Sequence, residues 1–525
     1  MSRANQQTLK WLQTCDSIAS MPSGPQAPYR FGRLDRATRH YVPTNVSGDL
    51  AVSQSGELMH ARTRDGVRNN ASFKRAVEVW QDLIIGVGMQ TLADPFESWI
   101  DLASLTADEL DSRLDYALES DELYSAWFGE AKQFDAESRL TGTDFQRMAI
   151  AELVTVGEVF IVEHIRPSLD GESVPLCYQL IEADQLCRTH NRQRTATQNK
   201  IVDGIELDAW NREVAYYLYD DNQNDVASAS QNVTRIEADR CWHLYRPQRP
   251  TQHLGASELA SCAQPMVDRD KLLGTELQTA AKVAAVALVH KNRKGSAGSL
   301  GIAGSSDNVD QYGNEEVRLG SSPMSVHIGV DEDVQVVEST RPNPDIGVFL
   351  KTVDLDTAAG AGISPYSLRG NYEATSFSSA RAAKIDEDQH FAPLQRWFAA
   401  MVALPMRRRF NELAALMGLL VNATPQEFLA NRSRYQRFEA LGPGRDLLDP
   451  AAETEAAISR LRGSLSTLKI ECGRRGLHWV RVLRQKAIEN RVADVLGVVL
   501  DFSKGQGGQV TASTTQATQG APANG

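Results

Sequence analysis

Residues 362–379, GISPYSLRGNYEATSFSS, place Ser364, Ser367, Asn371, Tyr372, Ser376 and Ser378 around one cation, Arg369. Hydroxyls and amides at this density offer weak hydrogen bonds that are easily made and remade. A guanidinium is suited to a phosphate. This is the chemistry of contact with an anion rather than of bond cleavage. A second cationic group, Lys291, Arg293 and Lys294, stands just before a Gly/Ser stretch, GSAGSLGIAGSSDN. It is a candidate contact for phosphate or for a partner. The run Arg407-Arg408-Arg409 reads first as a solvated face, or as a complement to a helix C-terminal dipole. Contact with phosphate is its lesser reading.

Catalytic constellations are missing. There is no G-x-x-x-x-G-K-[ST], no H-E-x-x-H and no G-x-S-x-G, and the ten histidines are scattered. Gly360-Ala361-Gly362 opens like a dinucleotide loop, but Pro365 stands where the helix should begin and no third glycine follows at the right step. Asp331-Glu332-Asp333 could hold a cation. Alternation with neighbouring apolar residues favours a solvated strand turn. The six cysteines form no C-x-x-C pair, so neither a disulfide framework nor a zinc site is expected. No cofactor and no metal are expected.

The elements that must position these residues belong to a chain of 525 residues, 42% hydrophobic and 23% charged. That length predicts two to four domains with packed cores. No run of about 18 apolar residues is present, so no membrane partner is expected. The N-terminus lacks the charged lead and apolar run of a secretory signal. The net charge is −12. Such a balance disfavours a protein that grips nucleic acid along one face. It suits one that lets a duplex slide past walls that repel phosphate.

The periodicity predicts an α+β chain. Phe73, Val77, Trp80, Ile84 and Val87 form one helical stripe, with Gly86 and Gly88 at the exit. Leu110, Leu114, Ala117, Leu118 and Leu123 form a second, and Phe145, Met148, Ala149 and Leu153 a third. Strands are expected over 157–163 and 177–182, alternating in and out. A hairpin is expected between Ile201–Leu207 and Val214–Tyr219, turning through Asp208–Arg212. Residues 256–291 read as a helix with an alanine-rich end. Short strands follow near Val317–Leu319, Ser325–Ile328 and Asp333–Val337. A long helix over 377–420 carries Phe391, Leu394, Phe398, Met401 and Val402, kinked at Pro393 and Pro405. A final helix follows the Ser464–Thr467 break. The polar tail after 503 cannot bury enough apolar surface to order alone.

The order of these pieces resembles the portal proteins of tailed bacteriophages, in their lambda-like branch. The resemblance lies in "RNN", helix and glycine pair over 68–88, and in His243, Gln252 and Gly255 ahead of a long helix. It continues through the small-residue break 358–362 and the polar loop after it. It ends in STLKIECGRRGLHWVRVLRQKAIE. The chain departs at Leu254, where the family usually has Arg, and at Ala452, where it often has Lys.

The resemblance implies a portal-like division. An arm spans 1–60 and an α+β wing 61–254. A stem helix spans 255–291, a clip insertion 292–340 and a second stem helix 341–362. The channel loop is 363–378, a long wing helix 379–420, a helical crown region 421–495 and a disordered tail 496–525. It further implies a homo-oligomeric ring of about twelve copies at one capsid vertex, assembled in the host cytoplasm and carried in the virion. Double-stranded DNA would pass through it. The terminase large subunit, the major capsid and scaffold proteins, and a head-completion or connector protein would dock on it. The channel residues implied are Ser367, Arg369, Asn371, Tyr372 and Ser376, with Lys291, Arg293 and Lys294 touching DNA or a partner. Arg369 either meets phosphate or pairs with Glu373 or Asp386 of a neighbour. Another phage head component, capsid or minor scaffold, is the alternative. An enzyme with an unrecognised site is a more distant one.

Overall fold

The computed structural model describes residues 45–96, 105–166, 173–225, 232–285, 288–291, 325–328, 346–371, 376–444, 450–499 and 511–512. Helix α1 (Gly48–Asn69) is capped by Ser47, and α2 (Ala71–Ile84) by Asn70, whose side chain accepts from the Ser72 N–H at 2.9 Å. Asn70 thus ends one helix and starts the next. The corner is tight because Gly66 has no Cβ; one placed there would lie 2.8 Å from the Phe73 ring. Phe73, Val77, Trp80 and Ile84 are buried as their spacing predicts. Val87 is not: α2 stops before Gly86, which turns at φ +57°, and Val87 is 88% exposed.

After β1 (Gln90–Ala93) comes α3 (Ala107–Gly129), started by a capping box of Thr106 and Glu109. Its buried face is Tyr116, Ala117, Ser120, Asp121, Tyr124 and Trp127; of the expected stripe only Ala117 is buried, Leu110 is exposed and Leu114, Leu118 and Leu123 are half-buried. Polar residues hold these core positions because partners from other elements bond them there: Tyr116 donates to Tyr435 O, Ser120 to Asn411 Oδ1, and Asp121 accepts from Arg407 and the Ala93 N–H. A short turn α4 (Ala131–Phe134) leads to α5 (Gly142–Thr155), which buries Phe145, Ala149 and Leu153 but leaves Met148 exposed.

Strand β2 (Glu158–Ile165) lies between β3 (Leu176–Glu182) and β8 in an antiparallel sheet. Its first six residues are all buried, so it covers core on both faces instead of alternating. The next sheet is a four-stranded meander: β4 (Lys200–Val202), β5 (Ile205–Leu207), β6 (Glu213–Tyr219) and β7 (Val233–Glu237). The stretch expected as one strand over 201–207 is itself a hairpin. Asp203 and Gly204 turn it with φ of +47° and +82°. The turn over Asp208–Arg212 forms as expected, with the Arg212 N–H donating to Asp208 Oδ1 at 2.9 Å. Strand β8 (Cys241–Tyr245) closes the first sheet.

Helix α6 (Ala263–Ala285) ends earlier than the expected 291; β9 (Leu288–Lys291) pairs in parallel with β10 (Ser325–Ile328). The strands expected near 317–319 and 333–337, and the Gly/Ser stretch, lie outside the described residues. Helix α7 (Ile346–Ala361) runs back along α6: the Ser261 hydroxyl donates to Gly360 O at 3.1 Å, and Arg269 Nε to Asp354 Oδ1 at 2.7 Å.

A short helix α8 (Pro365–Arg369) precedes α9 (Phe377–Phe398). The expected continuous helix over 377–420 is interrupted. A π turn, Ala399–Ala403, joins α9 to α10 (Leu404–Leu416), and Pro405 falls in the first turn of α10 where a missing N–H costs nothing. The π turn rotates Met401 outward to 48% exposure, whereas Phe391, Leu394, Phe398 and Val402 are buried. Two short turns, α11 (Pro425–Ala430) and α12 (Arg432–Tyr435), lead to β11 (Phe438–Leu441), which pairs antiparallel with β1. The expected final helix is split. After α13 (Pro450–Arg462) come α14 (Leu468–Gly473), capped by Thr467, and α15 (Trp479–Leu496), separated by Gly476 at φ +68°. Strands β12 (Val498–Val499) and β13 (Thr511–Ala512) follow.

The main core gathers α2, α3, α5, β2 and the α9–α10 pair. A smaller core sits between the two sheets.

Candidate functional site

The polar loop is anchored at its start, not free. Helix α7 ends at Ala361, whose carbonyl accepts from Trp80 Nε1 at 2.9 Å, and Gly362 turns the chain at φ +68°. Ser364 caps α8: its hydroxyl accepts from the Ser367 N–H at 3.0 Å. The Glu387 carboxylate on α9 then takes two donors, the Ser364 N–H at 2.9 Å and the Ser367 hydroxyl at 3.0 Å. From the other side Arg75 Nε donates to Ser367 O at 3.0 Å. Ile363 and Leu368 are buried beneath. Gly370 closes α8 in the left-handed region, φ +64°, its N–H donating to Tyr366 O at 2.7 Å.

Arg369 pairs with Asp354 of its own chain, on α7, and its side chain is 22% exposed. Within one chain this carboxylate is its partner; Glu373 lies outside the described residues. Asp354 also holds Arg269, so two guanidiniums share one carboxylate and the cluster keeps a net positive charge. At the far end, Ser376 caps α9, accepting from the Ser379 N–H at 3.2 Å, with the Ser378 and Ser379 hydroxyls 3.1 and 2.8 Å away. Of the expected channel residues, Ser367 and Arg369 are held by contacts within the chain, while Asn371 and Ser376 are exposed. Tyr372, Arg293 and Lys294 lie outside the described residues, and Lys291 is the last residue of β9. Of the residues that fix the loop, Trp80 was legible only as helix core, and Arg75, Asp354 and Glu387 carried no sequence signal, because each is an ordinary helix residue brought in from another element.

The connector motif has a physical explanation. His243 is fully buried between Glu158, 3.0 Å from Nε2, and Glu213, 3.6 Å from Nδ1. Burial opposes its charge, but the hydrogen bond to Glu158 and the negative charge of both glutamates outweigh this and push the imidazole up to about 9. Despite burial, Glu158 is held below the usual carboxylate range by His243 and Arg188, and Glu213 well below it by His243 and His253. The Gly255 N–H donates to Glu158 Oε2 at 2.8 Å, and a Cβ on Gly255 would lie 2.1 Å from Gly157 O. Gln252 is buried, donating to Leu254 O at 2.7 Å and accepting from the Gln248 N–H at 3.1 Å. Leu254, where the resembling family has Arg, is 1% exposed in the smaller core.

The arginine run is overturned in part. Arg408 is exposed, but Arg407 is fully buried. Arg407 donates to Ser120 O at 2.9 Å, the Ser120 hydroxyl at 2.7 Å and Asp121 Oδ1 at 2.9 Å, and lies 4.4 Å from the Tyr124 ring centre. Arg409 pairs with the buried Glu163.

Among the described residues no group of three or more His, Cys, Asp or Glu is placed to hold a metal ion. Among them, no helix is long and apolar enough to cross a membrane.

A family model described as "Phage portal protein, lambda family" matches residues 34–395. That match spans more than half of the sequence, and the chain belongs to the lambda family of phage portal proteins. Its relatives include the portal protein of Escherichia phage N15, 24% identical over 478 residues, covering 86% of this chain and 87% of that protein. Portal protein B of Escherichia phage lambda is 23% identical, covering 86% of each. The probable portal protein of Halomonas phage phiHAP-1 is 24% identical, covering 85% and 83%. Among solved structures, the neck of a native gene transfer agent particle aligns at 14% identity and TM-score 0.36, covering 80% of this chain and 95% of that one.

Proposed function

We propose that this portal protein closes with identical copies, about twelve, into a ring at one capsid vertex, and that double-stranded DNA passes through the hole. The terminase large subunit would dock on it during packaging, and a head-completion or connector protein afterwards. The ring would assemble in the host cytoplasm with the major capsid and scaffold proteins and remain in the virion.

The observation that carries this reading is the antiparallel pair α6–α7. At the end of the pair farthest from the Ser261–Gly360 contact, Leu277 and Val348 are each 71% exposed and Phe349 is 58% exposed. A lone chain gains nothing from holding such side chains in water; adjacent copies of the pair would bury them. This region is the proposed stem, the two sheets with α2–α5 the wing, and residues 292–340 the clip. The loop over 363–378 faces the channel. Its first half is the fixed knuckle described above. The net charge of −12 supplies the repulsive wall, and the Arg369–Arg269 pair on Asp354 a sparse positive belt within it.

Arg369→Ala tests the belt. Asp354 keeps Arg269, so rings are expected to form normally, while DNA packaging or retention changes. Rings that package and retain DNA as wild type does would remove Arg369 from the mechanism.

A further inference from the structure

The packing leaves a groove of about 980 Å³ open between α1 and the start of α6. Phe73 lies at its floor, and the groove reaches that ring because Gly66 carries no Cβ. Leu58 and Met59 on α1 and Val267 on α6 line its sides. Leu58 is 57% exposed. Apolar side chains held in water along a trough gain from whatever covers them. Helix α1 gives the groove Gln54, Leu58, Asp65 and Asn69, whose spacing is that of one helical face. Ser47, seven residues before Gln54, heads the same face, and Ser47 is where the chain enters α1. Residues 1–44 therefore arrive at one end of this groove.

We propose that Tyr29–Leu34 of the same chain, YRFGRL, covers the groove, with Phe31 and Leu34 toward Leu58 and Val267. Reach allows it. Leu58 lies about 17 Å along α1 from Ser47, and Asn70 about 35 Å. The connection over 35–46 spans up to about 40 Å when extended. Pro43 and Asn45 are residue types that suit the reversal this path needs. The groove rim is electrically balanced, Arg62 and Lys271 against Asp65 and Asp270, and the segment mixes Arg30 and Arg33 with the adjacent Asp35. Charge therefore admits the segment without selecting it. The tether selects it: a connection of about a dozen residues holds its free end at an effective concentration of the order of millimolar. A second copy in dilute solution does not compete with that. Covered in this way, α1 of the wing is tied to α6 of the proposed stem, beside the contact in which Asn70 Nδ2 donates to Met266 O at 3.4 Å. The proposal goes beyond the ring and does not depend on it.

The full-length chain is tested unassembled and dilute. Leu58→p-benzoylphenylalanine, irradiated and digested, should crosslink to the peptide that contains residues 29–34. In a mixture of isotope-labelled and unlabelled chains, the adduct should join peptides of like label only. Trypsin gives the second readout. Leu58→Glu and Phe31→Asp are each expected to speed cleavage after Arg33 about tenfold, while cleavage after Arg3 and Lys10 keeps its wild-type rate. Leu58 is exposed and Phe31 lies outside the described core, so neither change should disturb the fold. A crosslink to another segment, adducts that join only unlike labels, or cleavage after Arg33 at the wild-type rate in both variants would overturn the proposal. Adducts of unlike label would assign the groove to a neighbour's segment instead. Each of these results leaves the ring reading standing, because the measurement is made on chains that have not assembled.

Discussion

Arg407→Ala is expected to destabilise the chain by about 3–5 kcal/mol, the usual cost of removing one partner of a buried ion pair. Burial pushes the Arg407 guanidinium down and the Asp121 carboxyl up. The charged pair persists because both terminal nitrogens of Arg407 and both carboxylate oxygens of Asp121 have polar or charged partners, although Arg407 Nε has none. Arg407 donates to Ser120 and Asp121, while Asp121 also accepts from the Ala93 N–H at 2.9 Å and faces Arg481 at 3.5 Å. Alanine would leave Asp121 charged in the core and empty a space between Tyr124 and Phe438. The pair joins α3, α10, β1 and α15, so its loss should loosen the link between the C-terminal helices and the core. Adding Asp121→Asn removes the orphan charge and keeps the Ala93 bond, and is expected to recover a large part of the loss. The measurement is the shift of the urea midpoint for the single and double variants. A single variant within about 0.5 kcal/mol of wild type would contradict the account.

The second large effect lies at His243. His243→Leu takes one charged partner from each of Glu158 and Glu213 inside the sheet junction, leaving Arg188 and His253 as their remaining cationic neighbours, and should cost about 3 kcal/mol at pH 7. The pH dependence has a definite sign. The pKa of His243 is raised from 6.5 to about 9, so its contribution is complete below about 6.5 and is lost as pH rises through about 9. Glu158 and Glu213 are lowered from 4.5, so theirs is present above that value and lost as pH falls below it. For this cluster, stability should therefore be greatest between about pH 4.5 and 6.5 and decline toward pH 9. The leucine variant should lose the alkaline decline. Thermal unfolding of both proteins from pH 5 to 9.5 reads it, and parallel curves would exclude His243 as the source.

The parts legible in the sequence were those where one face meets core. The α2 stripe from Phe73 to Ile84, the third stripe's Phe145 and Leu153, and the strand at 325–328 followed from spacing alone. The β1–β11 pair did not, because QTLA and FEAL are four residues each with no pattern, and their pairing depends on contacts some 350 residues apart. Arg407 misled for the opposite reason: a charge reads as surface unless its partners are known, and Ser120 and Asp121 sit on a helix whose leucines pointed elsewhere. The π turn also has no composition signal, being alanines and Met401 within a helical run. In the polar loop, residue types did not announce that Glu387 and Asp354 would occupy Ser367 and Arg369. Family membership was legible because the pieces keep their order even where single positions such as Leu254 depart.

The central claim is closure of many copies around a hole. Negative-stain imaging of the purified full-length chain, concentrated at moderate salt, tests it most directly. The account predicts closed rings with a central opening wide enough for a DNA duplex, about twelve subunits around. A chain that stays monomeric under those conditions, its α6–α7 end still in solvent, would contradict it.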